Sequence, residues 1–516
     1  MRRETFHLAE ELALPVTPEA LRAAFPEPRA STFVLDGGGA NARPRLDRAA
    51  FMGAAPAATF RARRSGARDH ARRALADVVV HQAGGDRIVQ RDVDPFAALR
   101  DFLATYSASD GAFDERYPFS FRAGLVGYIG YECGQTLERL PNLPRPSVTM
   151  PDMAFSFHEW VIATSRDTGK SWLSVIGAGA TRAQARSEAE TIRDRVIAAL
   201  SPSSARAPSL RTTERRRLDP RIVAGLSPAE YMDRVSAAKE HIAAGDTFEI
   251  CLTTAHRATL ADEQAWPLFD ELRRANPAPF AALLDLPEGT IVSSSPERFL
   301  SLDADGLAES RPIKGTRPRG STPEEDARLA RELATSEKDR AENAMIVDLV
   351  RNDLGRVCRF GTVEVPELFA VEPYATVHQL VSTVRGRLDE GRDAIDLVRA
   401  CFPPGSMTGA PKIEAMSILE RLEPVERGVY SGALGWIDLG GALDLSVVIR
   451  TVVIKDDTAT FSVGGAIVAD SDPRAEHEEA EHKARALVRA IEAVAAPPRS
   501  AAPPRQHATS SSPLET

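Results

Sequence analysis

From Glu309 to Arg319 the chain reads Glu-Ser-Arg-Pro-Ile-Lys-Gly-Thr-Arg-Pro-Arg, too polar for a core and too fixed in geometry for an ordinary loop. Pro312 and Pro318 set their own φ and push the preceding residue toward extended backbone. Gly315 lets the main chain approach a neighbour that a side chain would hold off. Lys314 stands between Ile313 and Gly315, a setting that can strip water from an ammonium. Desolvation lowers a lysine pKa, and a neutral amine is a nucleophile. From composition alone the stretch is equally well read as a basic surface hairpin with a solvated lysine.

With 516 residues there is room for two domain-sized units or one large composite fold. No apolar run reaches membrane-span length, and the amino terminus has no apolar signal core. Cys133, Cys251, Cys358 and Cys401 form no Cys-x-x-Cys pair, so neither a disulfide framework nor a zinc site is implied. A cytoplasmic, membrane-free protein is expected. The net charge of −9 argues against nucleic acid as a partner, and an anionic substrate must be caught by local cations.

Residues 1–30 lean toward helix, followed by a strand at Ser31–Asp36 and a turn at Gly37–Gly39. Phe121–Glu132 alternates glycine with apolar residues, as a closely packed sheet segment does. Residues 201–217 read as a linker between an N-terminal subdomain, 1–200, and a catalytic unit, 218–495. Residues 496–516 are low-complexity in composition and are expected to form a disordered tail. Ser227 followed by Pro228 predicts a helix start, and Gly245 predicts its end. Phe248–Thr254 then predicts a strand.

Two further helices begin with acids. Ser336 caps one, with Asp339 at its third position, and Glu342, Met345, Ile346, Leu349 and Val350 share a stripe. In the other, Glu476, Glu479 and Lys483 precede Leu487 and Ile491. Carboxylates leading into an apolar face are costly unless a cation compensates them. Two such helices side by side would offer an oxygen-only site suited to Mg²⁺. For either helix alone, dipole compensation is the better reading of the acids.

Pro403-Pro-Gly-Ser-Met-Thr-Gly-Ala-Pro-Lys412 leads into an apolar-periodic helix, Ile413–Leu422, a loop that can offer N–H groups to an anion. Two strands are expected next, Gly428–Asp438 and Asp444–Ile454. In the second, Val448, Arg450 and Val452 share a side under strict alternation. An arginine there either snorkels or pairs with a carboxylate. His378, within an apolar strand, reads by itself as a core histidine.

These blocks, in this order from Ser227 to Val494, resemble the chorismate-utilising enzymes. Pro312–Arg319 is similar to the family's lysine-bearing signature, Lys338-Asp-Arg-Ala-Glu-Asn343 and Val347–Asp353 to its acidic helix block, and Gly405–Lys412 to its glycine loop. The resemblance implies an α+β fold like that of anthranilate synthase component I, a large antiparallel β-sandwich with helices outside and a cleft between the layers. It implies Lys314 as nucleophile, Glu297 in Ser293-Ser-Ser-Pro-Glu-Arg298 as general acid, and His378 as an active-site histidine. Glu342 and Glu479 would ligate Mg²⁺ with Asp339 and Glu476 behind them. Tyr430 and Arg450 would clamp a substrate carboxylate, Gly315, Thr316 and Thr408 would line the pocket, and Gly464, Gly465 and Ala466 would add backbone donors.

Lys314 resembles the branch that aminates chorismate to 4-amino-4-deoxychorismate through a lysine adduct, for 4-aminobenzoate in folate or specialised metabolism. Anthranilate synthases carry alanine there and form the alternative reading; a silent chorismate- or partner-binding relative is a third. Glu249 stands where water-using relatives carry a lysine base, which counts against water as nucleophile. Phe33-Val-Leu-Asp-Gly37 and Arg48–Gly53 depart from the family's amino-acid-binding motif, so tryptophan feedback is not expected. No cysteine lies in a nucleophile turn, so ammonia is expected from a glutamine amidotransferase partner.

Overall fold

The computed structural model describes residues 4–27, 30–36, 49–82, 84–106, 113–141, 150–201 and 220–495. The turn expected at Gly37–Gly39, Arg48, nearly all of the 201–217 linker and the 496–516 tail lie outside the described residues.

Two antiparallel sheets of twelve strands each lie face to face, with helices on both outer surfaces. Each sheet draws strands from both halves of the chain. In one, Thr32–Asp36 pairs with Phe280–Leu286; in the other, Gly124–Ile129 pairs with Ala433–Asp438. Both sheets are therefore continuous across the two halves. Between them lies an aromatic layer in which Phe121 stacks on Trp436 at 4.9 Å. Separate apolar clusters bind the outer helices to each sheet. This is the α+β sandwich expected. Among the described residues no helix is long and apolar enough to cross a membrane.

Local signals held where they concerned single termini. Ser227 and Glu230 form a reciprocal capping box before Pro228–Ala244, and Gly245 ends that helix at φ 83°. Ser336 Oγ accepts the Asp339 N–H at 3.3 Å and starts Glu337–Gly355. Pro473–Ala495 forms the second acidic helix, and Lys412–Leu422 follows the glycine loop.

Two expectations need correction. The helix-leaning first segment contains a strand, Glu4–Glu11, before a short helix, Pro18–Ala24. Pairing along Ser171–Gly179 outweighs local propensity there. The strand expected over Asp444–Ile454 is two strands, Leu443–Val447 and Thr451–Lys455, in different sheets. The chain crosses between layers at Val448–Arg450, and Arg450 sits at φ 52°, so alternation does not carry through it.

A second crossing runs beside the first. Gly289–Ser295 belongs to one sheet and Arg298–Leu302 to the other, with Glu297 between them. Ser295 Oγ donates to the Val447 carbonyl at 2.6 Å, Val447 N–H to the Glu297 carbonyl at 3.0 Å, and Ser294 N–H to the Arg450 carbonyl at 3.1 Å.

Candidate active site

Lys314 lies in Ile313–Pro318, the outermost strand of its sheet, and its side chain is 10% exposed. Its Nζ donates to Oε1 of fully buried Glu249 at 2.5 Å, reaching the first residue of Glu249–Thr259 in the opposite sheet. Glu249 Oε2 is buried without a hydrogen bond. Burial presses the Lys314 ammonium toward neutrality, but the charge of Glu249, with Cys251 and Glu342 behind it, outweighs burial. The Lys314 pKa is raised above the ordinary lysine value, so the expectation that desolvation leaves a neutral amine is corrected. Here the amine rests as the cation of a tight pair with a carboxylate placed to take its proton.

Gly315 follows at φ 84°, and a Cβ there would stand 2.8 Å from Asp339 Oδ1. Glycine is required twice over: for the backbone angle and for the approach of the Glu337–Gly355 helix. Thr316 pairs in register with Gln379, and Arg317 with His378.

Glu297 is buried at its crossing, and burial pushes its carboxyl up to about 7. Hydrogen bonds from Ser406 and the Ile313 backbone, and the Lys314 charge, pull the other way without cancelling it. A carboxyl half-protonated near neutrality suits proton donation. Ser406 belongs to the glycine loop, so that loop reaches the site through a hydroxyl that the sequence reading did not single out. Thr408 is fully buried, its hydroxyl turned back to the Gly405 and Gly409 carbonyls. Lys412 is committed to Asp353 Oδ2 at 2.7 Å and the Cys401 carbonyl at 2.6 Å.

Among the described residues Arg450 has no carboxylate partner. Burial lowers its pKa, offset by Tyr430, whose own phenol burial pushes up. A half-buried guanidinium without a countercharge is built to receive an anion. The segment before Tyr430 is held by Arg427, which donates to both Glu423 carboxylate oxygens at 2.6 and 2.8 Å, to the Met407 carbonyl at 2.6 Å and to the Cys251 carbonyl at 2.7 Å. One guanidinium thereby ties together the strand after Glu249, the glycine loop and the tyrosine segment. Sequence reasoning missed it; its one signal is the i, i+4 spacing of Glu423 and Arg427.

Glu342 and Glu476 face one another across Lys338, whose Nζ lies 3.8 and 4.0 Å from their carboxylates. Burial pushes Glu342 up to about 7 and raises Glu476, which accepts from Ser471 at 2.6 Å. Burial also acts on Glu479, but Lys483 at 2.7 Å holds its pKa below the usual value. Asp339 is engaged by Arg317 at 3.0 Å. Among the described residues no three acid, histidine or cysteine side chains converge as one cluster. The expected convergence of all four acids is corrected: Glu342 and Glu476 share the Lys338 ammonium, while Glu479 leans on Lys483 and Asp339 on Arg317. The donor chemistry still fits a hard cation, with oxygens only and an ammonium occupying the gap.

Gly464, Gly465 and Ala466 pair with Thr253, Leu252 and Cys251. A Cβ at Gly465 would meet Glu476 Oε2 at 3.0 Å, and Lys483 donates to the Gly464 carbonyl at 2.9 Å. His378 Nε2 pairs with Asp326 at 2.9 Å on the Pro323–Thr335 helix, and its Nδ1 is buried without a partner. Its hydrogen bond thus runs to a different helix from the one that carries Glu342. All four cysteines are buried free thiols with pKa values raised by burial, the reverse of an activated nucleophile.

A buried lysine–glutamate pair, a carboxyl poised near neutrality and a guanidinium without a carboxylate partner among the described residues bring base, acid and cation to one double-sheet sandwich. The chain belongs to the chorismate binding enzyme family, whose model matches residues 53–489. It is 46% identical over 390 residues to an aminodeoxychorismate synthase of Streptomyces pristinaespiralis, covering 72% of this chain and 51% of that protein. The chain thus spans about half the length of that relative. It is also 41% identical over 411 residues to anthranilate synthase component 1 of Streptomyces coelicolor, covering 77% of each. Among solved structures, anthranilate synthase component I of Streptococcus pneumoniae superposes with a TM-score of 0.70 at 28% identity, over 86% of this chain and 92% of that one.

Proposed function

We propose that the chain converts chorismate and ammonia to 4-amino-4-deoxychorismate through a covalent Lys314 adduct. The observation that carries this reading is the 2.5 Å contact between Lys314 Nζ and Glu249 Oε1. Identity to aminodeoxychorismate and anthranilate synthases is too even to separate the two branches. A lysine held against its own base favours the former, because an alanine at that position can form no adduct.

In this reading Arg450, with Tyr430 beside it, takes a chorismate carboxylate. Glu249 accepts a proton from Lys314, and the freed amine attacks ring C2. The ring double bonds shift, and the C4–oxygen bond breaks as Glu297 gives its proton to the departing hydroxyl, which leaves as water. Ammonia then forms the C4–nitrogen bond and the C2–nitrogen bond to Lys314 breaks; the proton lost by ammonia restores Glu297, and Glu249 returns its own to the lysine. Glu342 and Glu479 would hold Mg²⁺, with Asp339 and Glu476 behind them and Lys338 and Lys483 displaced. When bound, that ion supplies positive charge for the ring carboxylate. Gly315, Thr316, Thr408, Gly464, Gly465 and Ala466 line the pocket, and His378 closes it from the Asp326 side. Ammonia comes from a glutamine amidotransferase partner, and the product serves 4-aminobenzoate formation in the cytoplasm.

The test is incubation with chorismate, Mg²⁺ and ammonium, with and without an aminodeoxychorismate lyase. Lyase-dependent 4-aminobenzoate supports the reading; anthranilate as product would sink it.

A further inference from the structure

We propose that Arg68, Arg72 and Arg139 form a binding site for a small polyanion carrying two or more phosphate or carboxylate groups. The three side chains, with Leu140 and Pro141, line an open concavity of about 500 Å³. Its walls come from the turn after Ala58–Arg68 and from the segment that follows the short Tyr131–Thr136 helix. None of them belongs to the site around Lys314.

The site is preformed. Arg68 donates to the Arg72 carbonyl at 2.5 Å and reaches toward the Leu140 carbonyl at 3.5 Å, so one guanidinium bridges the two walls. Arg72 is held at φ 63°, with its N–H bonded to the Asp69 carbonyl at 2.9 Å. Leu140 is buried and gives the concavity a fixed floor.

Among the described residues its charge has no carboxylate partner. Three arginines nearby are matched: Arg61 with Glu288, Arg64 with Asp152 and Glu426, Arg73 with Asp69. Among the described residues none of Arg68, Arg72 and Arg139 pairs with a carboxylate. This occurs in a chain with 73 acidic and 64 basic residues, where acids are not scarce. Three like charges around one concavity repel one another and concentrate anions. Planar guanidiniums suit the paired oxygens of phosphate and carboxylate alike. The charged groups that line the concavity are all cationic, so charge selects an anionic occupant.

The test is calorimetric titration of the full chain at low ionic strength with pyrophosphate and, separately, with citrate. Saturable binding is expected, weakening with added NaCl and roughly tenfold weaker in an Arg72→Gln/Arg139→Gln double variant. Arg139→Gln alone, at an exposed position, gives a smaller loss and guards against misfolding of the double variant. Arg450→Gln is expected to leave pyrophosphate binding unchanged, which separates this concavity from the chorismate site. A preference for pyrophosphate or for citrate supports the site and identifies its chemistry. Absence of saturable heat, or equal affinity in the double variant, overturns it. Binding of an acidic peptide while both small anions are silent also overturns it, and would reassign the surface to a protein partner.

Discussion

Lys314 and Glu249 meet across the two sheets at 2.5 Å, an ion pair whose members stand 65 residues apart. Replacing Lys314 with alanine leaves Glu249 buried and unpaired, which costs about 3–5 kcal/mol. Lys314→Ala is therefore expected to lose both turnover and stability. The double variant Lys314→Met/Glu249→Gln recovers stability but not turnover. Melting curves and mass spectrometry of an ammonia-starved chorismate reaction check this; a covalent adduct in the double variant would refute the nucleophile assignment.

Glu249→Gln keeps the shape of the pair and removes its base. Burial remains while the countercharge goes, so the Lys314 pKa falls. The rate at neutral pH is expected to drop about 10²–10⁴-fold, with the limb belonging to the lysine moved to lower pH. An unchanged pH–rate profile would count against Glu249 as proton acceptor.

Glu297 gives a pH dependence with a definite sign. Its carboxyl is raised from 4.5 to about 7 by burial, and it must be protonated to act. Chorismate consumption should fall as pH rises through about 7. The folded state binds this proton more tightly than the unfolded state, so the stabilisation is complete below pH 4.5 and is lost as pH rises to 7. Relative to Glu297→Gln, the native chain should lose up to roughly 3 kcal/mol across that window. Chemical denaturation at several pH values measures the difference.

Arg450→Ala removes the unpaired guanidinium. Loss of a charge-assisted contact of this kind corresponds to roughly a 10–100-fold rise in the chorismate KM, with Arg450→Lys recovering part of it. A KM unchanged in the alanine variant would remove Arg450 from the binding role.

Gly315→Ala tests geometry alone. The left-handed backbone and the clash with Asp339 together should cost about 1–3 kcal/mol and shift the strand that carries Lys314, so kcat falls with stability. If Mg²⁺ binds as proposed, it raises the melting temperature of the native chain, and Glu342→Gln/Glu479→Gln abolishes the rise.

The sequence made local features readable and left long-range ones hidden. Ser227, Gly245, Ser336 and Asp339 mark helix ends by chemistry confined to a few residues, and the structure has those ends in place. Lys314 and Glu297 stood out through family motifs. The pairing of Lys314 with Glu249 was not legible, because it depends on two sheets facing each other. Nor was the crossing at Val448–Arg450, because alternation records which side a residue faces and not which sheet its strand joins. The clamp of Arg427 on three backbone segments escaped for the same reason.

The antiparallel crossings at Glu297 and Arg450 have a mechanical consequence. Each spans both layers, and their backbones are bonded to each other, so the sheets cannot part like jaws to admit a ligand without pulling acid from clamp. This end of the sandwich is a fixed anvil. The helices that carry Glu342 and Glu479 pack on strands of opposite sheets, so the bonds that lock the layers also fix the spacing of those two carboxylates.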